Sequence, residues 1–319
     1  MNPISVTIYS HGETLPPLHG SNFFHSAELF HIVEKSPGQR PYMAVATDEA
    51  GRELGHLLAF THVHGMWVPP FRYWQGRAYG EGEYVDESRR EEVFGVLLRA
   101  ITRKLRRRLC FVIEFSDLSK KMFGYRLFRE NGYFPISWME VYNSLHSMAP
   151  RDRLGPRMLD RIERVRKMGV ETREVETEAE LHQFYRLLNG FYRFKMRRVI
   201  PSEAQLRQFD CSDRARVFIT LYRGKVIGGS LCLFSEGNCY LWYLASRRKR
   251  YPHLHPNMMT IWHAINCAHI FFLDVGLPVP HSPFRDFILS FGGKPASTYR
   301  WFSLLPTWLN GVFSWIYRE

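Results

Sequence analysis

Apolar and polar positions alternate along this chain in one order, and the order occurs twice. Tyr42 to Phe60, "YMAVATDEAGRELGHLLAF", is an apolar run, a polar turn at Gly51 and a second run, the pattern of a β-hairpin. Val217 to Phe234, "VFITLYRGKVIGGSLCLF", repeats it with the turn at Gly224, and Gly55, Leu57 and Phe60 match Gly229, Leu231 and Phe234. After the first hairpin come another apolar stretch, a helix predicted at about Glu87–Arg107 and a strand at Leu109–Ser116. After the second come the strand "NCYLWYLAS", a helix predicted at about Pro256–His269 and the strand Ile270–Gly276. Both series close on an element of aromatic residues and glycine, "LFRENGYF" and "FILSFGG". The spacing is too long for a solenoid repeat and predicts a duplicated domain. The expected fold is α/β (α+β), with two tandem domains, residues 1–150 and 151–319, each a mixed twisted sheet flanked by helices.

Between the two series, "PRDRLGP" reads as a linker. The helix after it gathers Met158, Leu159, Ile162, Val165 and Met168 on one face and Arg157, Arg161, Arg164 and Lys167 on the other. In the tail "LLPTWLNGVFSWIYRE", Trp308, Leu309, Val312, Phe313, Ile316 and Tyr317 share a helical face. That face is expected to pack on its own domain; the alternative is peripheral contact with a membrane interface, where Trp and Tyr are favoured.

Composition narrows the partners. The chain has 319 residues, 45% of them hydrophobic, which excludes a disordered chain, and its formal net charge of +12 favours phosphate-bearing partners without choosing among nucleic acid, phosphorylated metabolites and anionic membrane. The five scattered cysteines fit neither a disulfide framework nor a Cys-based zinc site. The N-terminus lacks the pattern of a signal peptide, and no apolar stretch is long enough to span a bilayer, so a cytoplasmic protein is expected, either free or peripheral to the inner membrane face. His62/His64 and His253/His255 have metal-compatible spacing but no evident third ligand, and no permanently bound cofactor or metal is expected.

The charge is densest at "SRRKRYPHLHPN". Arg247, Arg248, Lys249 and Arg250 precede a helix opened by Pro256, whose missing N–H costs nothing at the first helical position. The next free N–H groups, at Asn257 and beyond, favour an anion together with the helix dipole. An exposed solubilising turn is the plainer reading. A second basic run, Arg103–Arg108 in the first half, offers another surface for a polyanion.

Taken in order, "RMLDRIERVRKMGVETREV", "YRGKVIGGSLCLF", "YPHLHPNMMTIWHAI" and "FFLDVG…FGGKP" resemble the duplicated GNAT-fold acyltransferases. The likeness is to the Fem-type aminoacyl transferases that build peptidoglycan bridges and to related acetyltransferase-like proteins. It covers about Leu154 to Pro295, and the first half only through the repeat. It implies two GNAT-like domains and acyl transfer to an amine. The donor would be aminoacyl-tRNA, acyl carrier protein or acyl-coenzyme A, and the acceptor a cell-envelope precursor or lipid. The chain departs from the family at Ile288, where a Lys often follows Phe287; Arg285, one turn earlier, offers a replacement cation.

Amine acylation needs a base for the ammonium, a stabilised oxyanion and alignment. Asp274, ending an apolar strand, is the candidate base, with turn capping as its alternative. Tyr243 is a candidate donor to a reacting oxygen, or a core residue. His255 is a helix cap or a proton carrier. Lys195, Arg197, Arg198, Arg247, Arg248, Arg250, Asn257 and Arg285 are candidate phosphate contacts. The second domain is expected to carry the chemistry. The rival function is a non-catalytic double domain that binds RNA or another polyanion.

Overall fold

A computed structural model of the chain describes residues 3–65, 72–116, 123–143, 148–192, 200–267, 270–276 and 283–317. In chain order the first elements are β1 (Ser5–Tyr9), α1 (Ala27–Glu34), β2 (Gln39–Thr47), β3 (Glu53–Gly65), β4 (Arg72–Tyr79), β5 (Glu83–Tyr84), α2 (Arg90–Arg107), β6 (Cys110–Ser116), α3 (Tyr125–Glu130) and β7 (Phe134–Asn143). Then come α4 (Pro156–Lys167), β8 (Val170–Glu174), α5 (Glu178–Tyr192), α6 (Glu203–Asp210), β9 (Ala215–Tyr222), β10 (Lys225–Ser235), β11 (Asn238–Ser246), α7 (Pro256–Cys267), β12 (Ile270–Gly276), α8 (Pro283–Leu289), β13 (Lys294–Leu304) and α9 (Leu309–Ile316).

The chain forms two compact units, residues 1–138 with 298–319, and residues 139–297. This differs from the division at 150 read from the sequence. The reason is hydrogen bonding: Arg300–Leu304 of β13 pair antiparallel with Val112–Ser116 of β6, so the end of the chain completes the first unit. In the second unit the matching position beside β12 is taken by Met139–Asn143 of β7.

Within the first unit the strands run β1-β2-β3-β4-β6-β13, with β5 against β3. Within the second they run β8-β9-β10-β11-β12-β7. Both series are antiparallel up to β4 or β11, and each then adds one parallel neighbour across a helix. The duplicated order read from the sequence is therefore the order of the fold.

Period fixes which faces are buried. Phe94, Leu97, Leu98, Ile101 and Leu105 form one stripe of α2 and pack on Tyr42, Ala44, Leu57, Ala59 and Ala78, which point to one side of their strands. In the second unit Met258, Met259, Ile261, Trp262 and Ile265 of α7 cover Phe218, Ile227, Cys232 and Leu241. At Gly228 an added Cβ would lie 3.0 Å from Pro256 Cβ, and at Gly229 it would lie 2.7 Å from Phe184 and from the Phe218 carbonyl. The glycine pair thus lets α7 and α5 press close on β10 from its two faces.

The tail is only half as expected. Phe313 of α9 stacks on Phe134, with ring centroids 6.0 Å apart, but Trp308, Val312, Ile316 and Tyr317 are exposed. No helix among the described residues is long and apolar enough to cross a membrane. All five cysteines are free thiols.

Candidate active site

The two units differ at their parallel strand pair. In the first, β4 and β6 pair from Trp74↔Cys110 to Tyr79↔Ser116, and Gly80 N–H extends the ladder to the Ser116 carbonyl at 2.8 Å. In the second, β11 and β12 pair among the described residues at Cys239↔Ile270 and Tyr240↔Phe271. Beyond these, Leu241–Ser246 keep β10 as their strand partner, and the register with β10 shifts at Leu231/Cys232, opposite Trp242. A bulge there adds a residue to β11 and turns the strand, which is how a sheet opens beside a site. The second unit therefore has a gap between parallel strands where the first is closed.

The bulge sends Leu244 toward the α7 core and Tyr243 to the α5 side. Tyr243 is nearly buried, with its ring edge-on to Tyr192 at 6.3 Å, and the Tyr192 hydroxyl donates to the Leu244 carbonyl at 3.1 Å. Sequence reasoning passed over Tyr192, because an aromatic at the end of an amphipathic helix looks like core.

β11 delivers the chain into the basic turn. Arg247 N–H bonds the Ile227 carbonyl at 2.8 Å, and Arg250 and Tyr251 N–H groups return to the Arg247 carbonyl, so the turn is held by backbone. Arg247, Arg248, Lys249 and Arg250 are all exposed, and none forms an ion pair among the described residues. Arg250 lies 5.9 Å over the Tyr251 ring.

His255 takes a left-handed conformation, φ 40°, and its carbonyl accepts from Met259 N–H, so it caps α7. Partial burial, then Arg161 and His253, hold its imidazole below the usual histidine range, which favours the neutral ring. Asn257 is half-buried, and its Oδ1 has no hydrogen-bond partner among the described residues. Basic turn, capped helix start and free amide oxygen meet at one end of β11.

The other candidates are placed unevenly. Asp274 lies in the backbone of β12, and its side chain is outside the described residues. Lys195, Arg197 and Arg198 also lie outside them. Arg285 is on α8, 3.7 Å from Asp286. No group of three or more His, Cys, Asp or Glu among the described residues is arranged to hold a metal ion.

Residues 157–269 match the family described as acetyltransferase (GNAT) domain. No curated protein matches the chain by sequence. Among solved structures, FemX is similar over 93% of this chain and 99% of its own, with a TM-score of 0.60 and 12% identity. A tandem GNAT protein from the clavulanic acid biosynthesis pathway covers 95% and 98%, at 0.57 and 11%. The C-terminal domain of an Agrobacterium fabrum protein described as a lysylphosphatidylglycerol synthetase covers 92% and 91%, at 0.55 and 12%. The fold is that of tandem GNAT proteins.

Proposed function

We propose that this chain is an N-acyltransferase whose donor is held by the second unit. The observation that carries the reading is the gap between β11 and β12, bordered at the end of β11 by four exposed cations without an ion pair among the described residues and by the start of α7. An extended donor arm bearing amides can lie in such a gap as an added strand. Its phosphates then meet the basic turn and the first N–H groups of α7.

The donor is an acyl thioester or an aminoacyl-tRNA, and the acceptor is an amine on an envelope precursor or lipid. The amine attacks the carbonyl carbon, a C–N bond forms, and the C–S or ester C–O bond breaks. The ammonium proton passes to a base, for which Asp274 on β12 and His255 at the helix start are the candidates. Tyr243 is the candidate donor to the leaving atom. Lys195, Arg197, Arg198 and Arg285 remain candidate phosphate contacts. The names of the similar proteins, an aminoacyl-lipid synthetase among them, support an envelope acceptor.

The test is a donor panel on the full chain: acyl-coenzyme A, acyl carrier protein and aminoacyl-tRNA, each with labelled acyl group. One of them should transfer label to an amine, and replacing Arg247–Arg250 by Ala should weaken that donor's binding. Polyanion binding with no transfer from any donor would favour a non-catalytic double domain instead.

A further inference from the structure

The first unit carries a second, separate concentration of charge. Phe94, Leu97, Leu98, Ile101 and Leu105 bury one face of α2, and this leaves Arg99, Arg103, Arg106 and Arg107 together on the other. With Thr102 and Asn131 they line a cleft of about 460 Å³. Arg106 anchors it, donating through Nη2 to the Asn131 carbonyl at 3.2 Å and to Ser303 Oγ at 3.0 Å. Arg99, Arg103 and Arg107 form no ion pair among the described residues and are exposed. Elsewhere on the same surface Arg126 is matched by Glu130. A cleft lined by several arginines and no carboxylate is built for an anion.

Beside it lies α9. Asn131 of the cleft is two residues from Arg129, whose Nη1 donates to Ser314 Oγ of α9 at 3.1 Å. Phe313 faces inward, while Trp308, Val312, Trp315 and Ile316 form an outward stripe, with Trp308 67% and Trp315 73% exposed. Trp at such exposure costs solubility unless something covers it.

We propose that the first unit docks on an anionic lipid bilayer, with the outer face of α9 entering the interface and the α2 cleft taking phosphate headgroups. Charge complementarity selects this occupant. A symmetric contact with a second copy would bring two unneutralised arginine rims toward each other, whereas an anionic leaflet neutralises them and accepts Trp at headgroup level. An eight-residue helix inserts too little apolar surface alone, so the arginines supply the second signal.

The proposal is independent of acyl transfer, because binding is read without turnover. The full chain is floated with vesicles of phosphatidylcholine alone and with vesicles containing phosphatidylglycerol. The wild type should float only with the anionic vesicles. Trp308→Ser with Trp315→Ser should abolish flotation without lowering the melting temperature. Arg103→Gln with Arg107→Gln should weaken it on the order of 25-fold, about fivefold for each arginine. Neither pair touches the basic turn of the second unit, so transfer to a soluble amine should persist. Absence of wild-type flotation, or flotation unchanged in either variant, overturns the proposal. So does a wild-type dimer that the tryptophan variant makes monomeric while flotation persists.

Discussion

Arg300 and Glu114 are 186 residues apart in sequence and meet inside one sheet, Nη1 to Oε1 at 3.2 Å. Gln75 Nε2 donates to the other carboxylate oxygen at 2.9 Å, Arg77 lies 3.3 Å away, and the Arg300 guanidinium sits 4.0 Å over the Trp138 ring. The cluster lies between β4 and β6, where the second unit has its gap, so the first unit is closed by ladder and charge together.

Glu114 is the shared anion of two guanidinium groups. Glu114→Gln should destabilise the first unit by about 3–5 kcal/mol, since it removes the charge on which both lean in a buried site. Arg300→Met leaves Arg77 opposite the carboxylate and should cost less. Urea-unfolding midpoints of the two variants decide it, and equal losses would mean that Arg77 contributes nothing.

His25 supplies a pH dependence. Burial, with His56 nearby, lowers its pKa from 6.5 to about 3, so it stays neutral in the fold while the unfolded chain protonates it. Between these values the unfolded state binds more protons, and stability falls as pH drops below about 6.5. The loss from pH 7 to pH 5 should be about 2 kcal/mol from this group. His25→Gln should start less stable and show a shallower slope over that interval; an unchanged slope would remove His25 from the effect.

Gly229 and Gly190 should respond oppositely to alanine. At Gly229 the new methyl meets a ring and a backbone carbonyl at 2.7 Å, which should cost about 1–3 kcal/mol. At Gly190, within α5, nothing lies within 4 Å, and alanine should stabilise by roughly 0.5–1 kcal/mol. Thermal melts of both variants check the pair.

In the active-site reading, Asp274→Asn keeps shape and removes a charge. Turnover should fall about 10²–10⁴-fold with little change in melting. Turnover that stays intact would assign Asp274 to turn capping and leave His255 as the base, whose replacement by Gln should then show the larger loss. Tyr243→Phe should slow turnover and leave donor binding unchanged, because only the hydroxyl is removed.

The repeat was legible because a strand's alternation and a helix's 3.6-residue period are local properties. The hairpins at Gly51 and Gly224, α2, α4 and α7 lie where those periods put them. The membership of β13 was not legible, since strand partners are chosen by long-range hydrogen bonds that composition does not encode. At the site, the basic turn and the His255 cap could be read from charge and a helix-start proline. The opening of the sheet could not: it depends on one extra residue at Trp242, which in sequence is simply another apolar position. The tail's stripe was seen, but which half of it faces inward depends on Phe134, far away in sequence.

The partnership of β13 with β6 also bears on synthesis. A ribosome delivers this chain from its N-terminus, and domains generally fold in that order as they emerge. Here the second unit is one continuous stretch, complete once residue 297 is available, while the first lacks its last strand until Arg300–Leu304 emerge. Vectorial delivery is thereby inverted, and the half made first is finished last. Until then the nascent chain presents the unpaired edge of β6, an invitation to other strands that a chaperone would need to shield.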